Sequence, residues 1–267
     1  MLGKLIKYEF KATGRLLIPL YGALIIFALI NKVFMGDFFS NNNTILGNLP
    51  QVIGILMYIA TMVAIFVVTL FIIIQRYRTN LLCDEGYLMS TIPVKQWQNV
   101  LSKLIVALIW SIASIIIACI SVVILAYQRG LILKIITTIP EFIKGVNTLA
   151  GVQGFLTIVE VILLMIIGII SSILMIYASL SIGSLFNRAK ILASFGAFIV
   201  LNIVTNVVSV MVQFPAGIVL DFTGIIEKYD FIAMNIFIAI TIAIMILLSV
   251  VYFIISNYIL SKKLNLD

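Results

Sequence analysis

A chain of 267 residues with 63% hydrophobic and 10% charged side chains cannot clothe itself in polar surface, since soluble domains carry roughly 25% charged residues. Its mean hydropathy of +1.27 excludes a globule in water and calls for a bilayer as solvent. The net charge of +7 sits beside the ends of apolar runs, not in a separate basic domain, which argues against nucleic-acid binding.

The chain opens with residues 2–15, where Lys4, Lys7, Lys11 and Arg15 share one helical face and Leu2, Leu5, Ile6 and Phe10 the other. That pattern predicts an amphipathic helix lying along the inner leaflet before the first span. Glu9 falls within its apolar face, which leaves two readings. It pairs with Arg76, Arg78 or Lys103 and so locks this helix to the inner loop, or it reaches out to headgroups. Leu16–Ile30 then runs past Pro19 into Asn31 and Lys32 with no small-residue cleavage pattern, so it reads as a retained first helix instead of a signal peptide.

Apolar stretches predict six spans, at about 16–35, 51–74, 104–127, 154–182, 191–213 and 231–256, each long enough for a hydrocarbon core of ~30 Å. With the N-terminus inside, the inner segments hold 12 Lys and Arg and the outer ones 5, so both termini are expected on the cytoplasmic side. Cys83 then falls in an inner loop and Cys119 in mid-membrane, so no disulfide is expected; histidine is absent, which leaves no metal-ligand spacing.

Between the spans, three pieces carry information. The inner loop 75–103 is long, and Gly86 and Pro93 divide it into two short elements; Thr91 is placed to cap a helix with Pro93 in its first turn. Val94, Trp97, Gln98 and Leu101 follow helical spacing toward the third span. The outer segments 128–153 and 214–230 are too apolar for solvated loops. Ile139, Phe142, Ile143 and Val146 share a helix face, and Phe214–Leu220 reads as a segment that dips back into the outer leaflet.

Polar residues within spans are candidate sites. Asn202, Thr205, Asn206, Ser209 and Gln213 fall within about 100° of arc on the fifth span. Such a stripe faces either a translocation path at a dimer interface or a neighbouring helix of the same chain. Glu160 is the one acid inside a predicted span, read as a cation partner or substrate contact, or as a group reaching water. Ser111, Ser114, Ala118 and Ser121, and likewise Ser179 with Gly183, make small-residue faces for close packing; Trp97 and Trp110 read as interfacial anchors or packing. No catalytic triad or paired-carboxylate site is visible.

The order of parts resembles the six-helix permease subunits of the type-2 ABC exporter family, also called type V exporters. Two stretches carry the resemblance by residue pattern: Lys7-Tyr8-Glu9-Phe10-Lys11-Ala12-Thr13-Gly14-Arg15, and Asp84-Glu85-Gly86-Tyr87-Leu88-Met89-Ser90-Thr91-Ile92-Pro93-Val94. The resemblance implies an all-α polytopic domain over 1–267 with a coupling loop at 75–103. It implies that Asp84, Glu85, Gly86, Tyr87, Leu88, Met89, Pro93 and Trp97 meet an ATPase. It further implies a second permease copy or paralogue, two ABC ATPase subunits, and export of amphipathic or antimicrobial-type peptides across a bacterial cytoplasmic membrane, as in exporters of phenol-soluble modulins. No Gly-x-x-x-x-Gly-Lys-Ser/Thr is present, so ATP and Mg are expected on the partner chain and this subunit is not itself an enzyme. The alternatives are a secondary transporter, which would usually show an internal repeat and more midplane ionisable groups, and a non-transporting immunity or assembly protein.

Overall fold

The structure, a computed structural model, describes residues 2–35, 49–82, 94–126, 131–186, 189–223 and 230–262. Its six long helices are α1 (Leu2–Met35), α2 (Leu49–Tyr77), α3 (Gln96–Ala126), α4 (Leu131–Gly183), α5 (Lys190–Phe222) and α6 (Asp230–Lys262). A π-helical turn, Arg78–Leu82, continues α2. Each long helix contains a window apolar and long enough to cross a bilayer, and no strand occurs among the described residues. Helices are what an apolar solvent demands, because every backbone N–H and C=O away from the ends is paired within its own segment.

By contact the chain, read from sequence as one transmembrane domain, divides into two compact units. The first comprises Met1–Arg76 and Leu101–Lys134, which holds α1, most of α2 and most of α3. Leu17, Tyr21, Leu24 and Ala28 from α1, Tyr58, Ile65 and Ile72 from α2, and Val106 and Trp110 from α3 form its core. Lipid is as apolar as these side chains, so what holds the helices together is close packing plus interhelical hydrogen bonds, not exclusion from water.

In α1 the expected boundary between a surface helix and a span does not exist: Leu2–Met35 is one helix. The reason is its buried stripe, which steps through Glu9, Thr13, Leu17, Tyr21, Leu24, Ala28 and Asn31 at three- and four-residue intervals without a gap. The cations Lys4, Lys7, Lys11 and Arg15 all stay on the exposed side, as the wheel requires. Pro19 is also exposed and is carried inside the helix.

Tyr77–Val100 and Ile135–Asp267 make up the second unit, with α4, α5 and α6. Gly151 interrupts α4 with φ 55° and ψ −136°, a conformation that glycine alone enters without strain. The helix before Gly151 occupies most of the outer segment expected at 128–153, and the one after it forms the fourth apolar span. Gly183 ends α4 against α5: a Cβ there would meet the Ser194 hydroxyl and lie 2.5 Å from the Ser194 backbone nitrogen and 2.6 Å from its Cα.

One expectation about connections changes, and both described ends of the inner loop are helical. The helix α5 runs through Pro215 to Phe222, so Phe214–Leu220 is helical and does not dip back. Helical backbone also enters the inner loop 75–103 from both ends, through Leu82 and from Gln96.

Candidate functional site

In the first unit a polar seam joins α1 to α3 and α2. Lys103 Nζ donates to Glu9 Oε1 at 2.5 Å, with both side chains buried. One turn along α1, Trp110 Nε1 donates to Thr13 Oγ1 at 2.7 Å while Thr13 donates to Glu9 O at 2.8 Å. Phe10 stacks on the Trp110 ring, centroids 4.7 Å apart, and Gly14 leaves room for that ring, since a Cβ would come 3.2 Å from Cζ2. Further along, Ser114 shares hydrogen bonds with Tyr21 at 2.8 Å and Thr69 at 3.0 Å, and Tyr58 bonds Ser121 at 2.9 Å. Ser114 and Ser121, expected only as small packing residues, are therefore the acceptors and donors that tie three helices.

Of the three cations expected near Glu9, Lys103 is the one that pairs with it; Arg76 is half-buried near the end of α2, and Arg78 is exposed in the π-turn. The candidates Asp84, Glu85, Gly86, Tyr87, Leu88, Met89 and Pro93 lie outside the described residues, as do Cys83, Thr91 and the cap proposed for it. Trp97 is exposed on the first turn of α3. Its neighbour Gln98 closes the helix start through N–H to Lys95 O at 2.9 Å.

In the second unit the α5 stripe splits. Thr205 and Tyr252 of α6 bring their hydroxyls to 2.5 Å, and Gln213 Nε2 donates to Thr241 Oγ1 of α6 at 3.0 Å. Those two residues are glue between helices of one chain. Asn206 lies at the far edge of the arc and is exposed; its Nδ2 donates to Asn202 O at 2.8 Å and Asn202 Oδ1 at 2.9 Å. Ser209 and Asn202 are half-buried. None of the apolar window of α5 is buried. The amide pair thus stands on the most uncovered of the six spans.

Two further polar sites in this unit carried no signal strong enough to single out from sequence. Tyr77 is fully buried, stacks on Tyr177 with centroids 4.0 Å apart, and bonds Ser181 at 2.8 Å. Asn235 of α6 donates to Gln153 Oε1 at 3.0 Å and Gln153 O at 3.2 Å, and accepts from Thr157 at 2.5 Å. Glu160, one turn beyond Thr157, is half-buried, and its Oε2 is buried with no hydrogen-bond partner. No group of three metal-ligating side chains occurs among the described residues, and Cys119 is an exposed thiol.

Among the described residues these features define a helical, multi-pass membrane protein in which several polar side chains bond across helices. The chain matches no protein-family model, no curated protein and no solved structure.

Proposed function

We propose that this chain is the membrane-spanning subunit of an ATP-driven exporter, in which two such subunits form the translocation path and two ABC ATPases dock beneath. The observation that carries the reading is the amide pair on α5 in which the exposed Asn206 bonds the half-buried Asn202. A carboxamide pair facing hydrocarbon leaves polar groups that lipid cannot satisfy, so this face needs another protein surface or a water-lined path. A second copy or a paralogue of the subunit supplies both at once. The exposed Trp97 at the start of α3 supports an ATPase-facing surface around residues 84–97. With no phosphate-binding loop in the sequence, ATP and Mg belong to the partner in this reading.

In this reading the membrane is the bacterial cytoplasmic membrane, with both termini inside. ATPase closure pushes on Asp84–Trp97, and α2 and α3 carry that displacement into the spans. The face offered by Asn202, Asn206 and Ser209, the part of the stripe that does not bond α6, suits an amphipathic peptide better than a small ion.

The test is a cysteine at Asn206 with both native cysteines replaced by serine. Oxidation in native membranes should link two permease chains through that position, whereas a cysteine at Leu248, buried beside neighbouring helices, should not. Absence of the Asn206 crosslink in membranes that hold the assembled ATPase complex sinks the interface. In parallel, Tyr87→Ala or Glu85→Lys should lose the copurifying ATPase and leave the spans folded; full ATPase recovery with normal transport refutes the coupling assignment.

A further inference from the structure

The α4–α6 interface carries a second, separate arrangement of polar groups. Gln153, Thr157 and Glu160 lie within about 60° of one face of α4. Asn235 of α6 bonds both Gln153 and Thr157, so this is the face that α4 turns toward α6. The atoms gathered there are mostly oxygens: Gln153 Oε1 and O, Thr157 Oγ1, Asn235 Oδ1 and, a turn further on, Glu160 Oε2.

The protons of Thr157 and Asn235 are already committed. The single Thr157 hydroxyl proton is within reach of both Gln153 O at 2.9 Å and Asn235 Oδ1 at 2.5 Å. Both Asn235 amide protons are directed at Gln153. Glu160 Oε2, buried, receives nothing. A carboxylate inside a span is costly unless a positive charge or a donor meets it, and no described cation bonds this one.

The geometry points to a binding site for a compact monovalent cation, an alkali ion or a primary ammonium group, held by Glu160 with Thr157 and Asn235, which Gln153 positions through its bonds to the Asn235 amide. One carboxylate plus neutral hydroxyl and amide oxygens balances a single positive charge. Calcium-type sites gather several carboxylates, and no group of three metal-ligating side chains exists among the described residues. Both cations use the same chemistry here, because an alkali ion accepts the oxygen lone pairs directly and an ammonium donates N–H to them. The site is built by α4 and α6 alone and stands whether or not the chain exports peptides.

The test uses the full-length chain in detergent micelles, at constant ionic strength set with N-methyl-D-glucamine chloride. Sodium chloride, potassium chloride or methylammonium chloride is titrated in, and thermal unfolding is followed. The wild type should show a saturable rise in the unfolding midpoint, and Glu160→Gln, which keeps size and shape, should weaken half-saturation about tenfold or abolish it. Thr157→Val should weaken it less. A response to sodium or potassium alone identifies an alkali site, and a response to methylammonium alone an ammonium site. A wild type that responds to none of the three, or a Glu160→Gln variant that responds like the wild type, overturns the proposal. Direct binding of radioactive sodium to wild type, measured without unfolding, guards against a variant that simply misfolds.

Discussion

Lys103 Nζ of α3 meets Glu9 Oε1 of α1 at 2.5 Å, and the two side chains keep only 4% and 9% of their surface. The contact lies 94 residues apart in sequence and joins the most cationic helix of the chain to the start of the third span. Its acid is the one charge that the apolar side of residues 2–15 contains, so the pairing accounts for a residue that the amphipathic pattern alone would reject. Desolvating two charges is costly, and the pair holds because each neutralises the other.

Breaking this pair from one side strands the other charge. Glu9→Leu or Lys103→Met should each lower stability by about 3 kcal/mol, and combining the two should recover most of the loss. Unfolding of the purified protein, taken as a double-mutant cycle, measures the coupling. Additive losses in the two single variants would show that the charges act independently.

Two glycines should respond to alanine in opposite ways when their neighbours are trimmed. The atoms nearest to a Cβ at Gly54 all belong to the Asn31 side chain, so Gly54→Ala should destabilise and Asn31→Ala should largely rescue it. At Gly183 the obstacle includes the backbone of Ser194, so Gly183→Ala should stay destabilised even with Ser194→Gly. Thermal midpoints of the four variants separate the cases; rescue at Gly183 would mean that the α4–α5 turn can open.

Tyr77→Phe keeps the stack on Tyr177 and removes only the hydroxyl bonded to Ser181. The expected loss is about 1 kcal/mol, whereas Tyr77→Ala also empties the space of a fully buried ring and should cost about 3 kcal/mol or more. Equal effects of the two substitutions would assign the residue's contribution to its hydroxyl.

On α5 the two halves of the polar stripe should separate by readout. Thr205→Val and Gln213→Leu break bonds to α6 and should lower the stability of the isolated subunit by about 0.6 kcal/mol each, the scale measured for membrane hydrogen bonds. Asn206→Leu should leave that stability unchanged or raise it, and should weaken the association of two subunits. Crosslinking yield and unfolding midpoint, measured on the same preparations, distinguish these outcomes.

Much of the fold was legible because lipid reduces the choice of structure: a charge-free run of sufficient length is a helix, and the six runs appear as six helices. The ends of those helices were harder to place. Residues 2–15 and 16–35 form one helix because the stripe through Glu9, Thr13 and Leu17 never loses phase, a continuity that charge counting hides. The segment Phe214–Leu220 suggested a dip back into the outer leaflet, whereas α5 carries it as helix. Side-chain partners were legible only where chemistry left few options. For Glu9 the sequence left three cations or the headgroups, whereas nothing in an apolar run tells that Tyr77 will meet Ser181 or that Trp110 will meet Thr13. Such pairs depend on the relative rotation of helices, which packing sets and composition does not record.

The turn Arg78–Leu82, directly after the Tyr77 stack, is wound as a π-helix, which closes its hydrogen bonds over five residues instead of four. Such a turn is an α-helix that has absorbed one residue more than its length requires. Chain length is therefore negotiable at this point: losing one residue, for example Asn80, lets the turn relax to α-helical winding while everything up to Tyr77 stays seated. A deletion of the same size at Ile65, inside the core of the first unit, would rotate the rest of α2 by about 100° and turn its buried face outward.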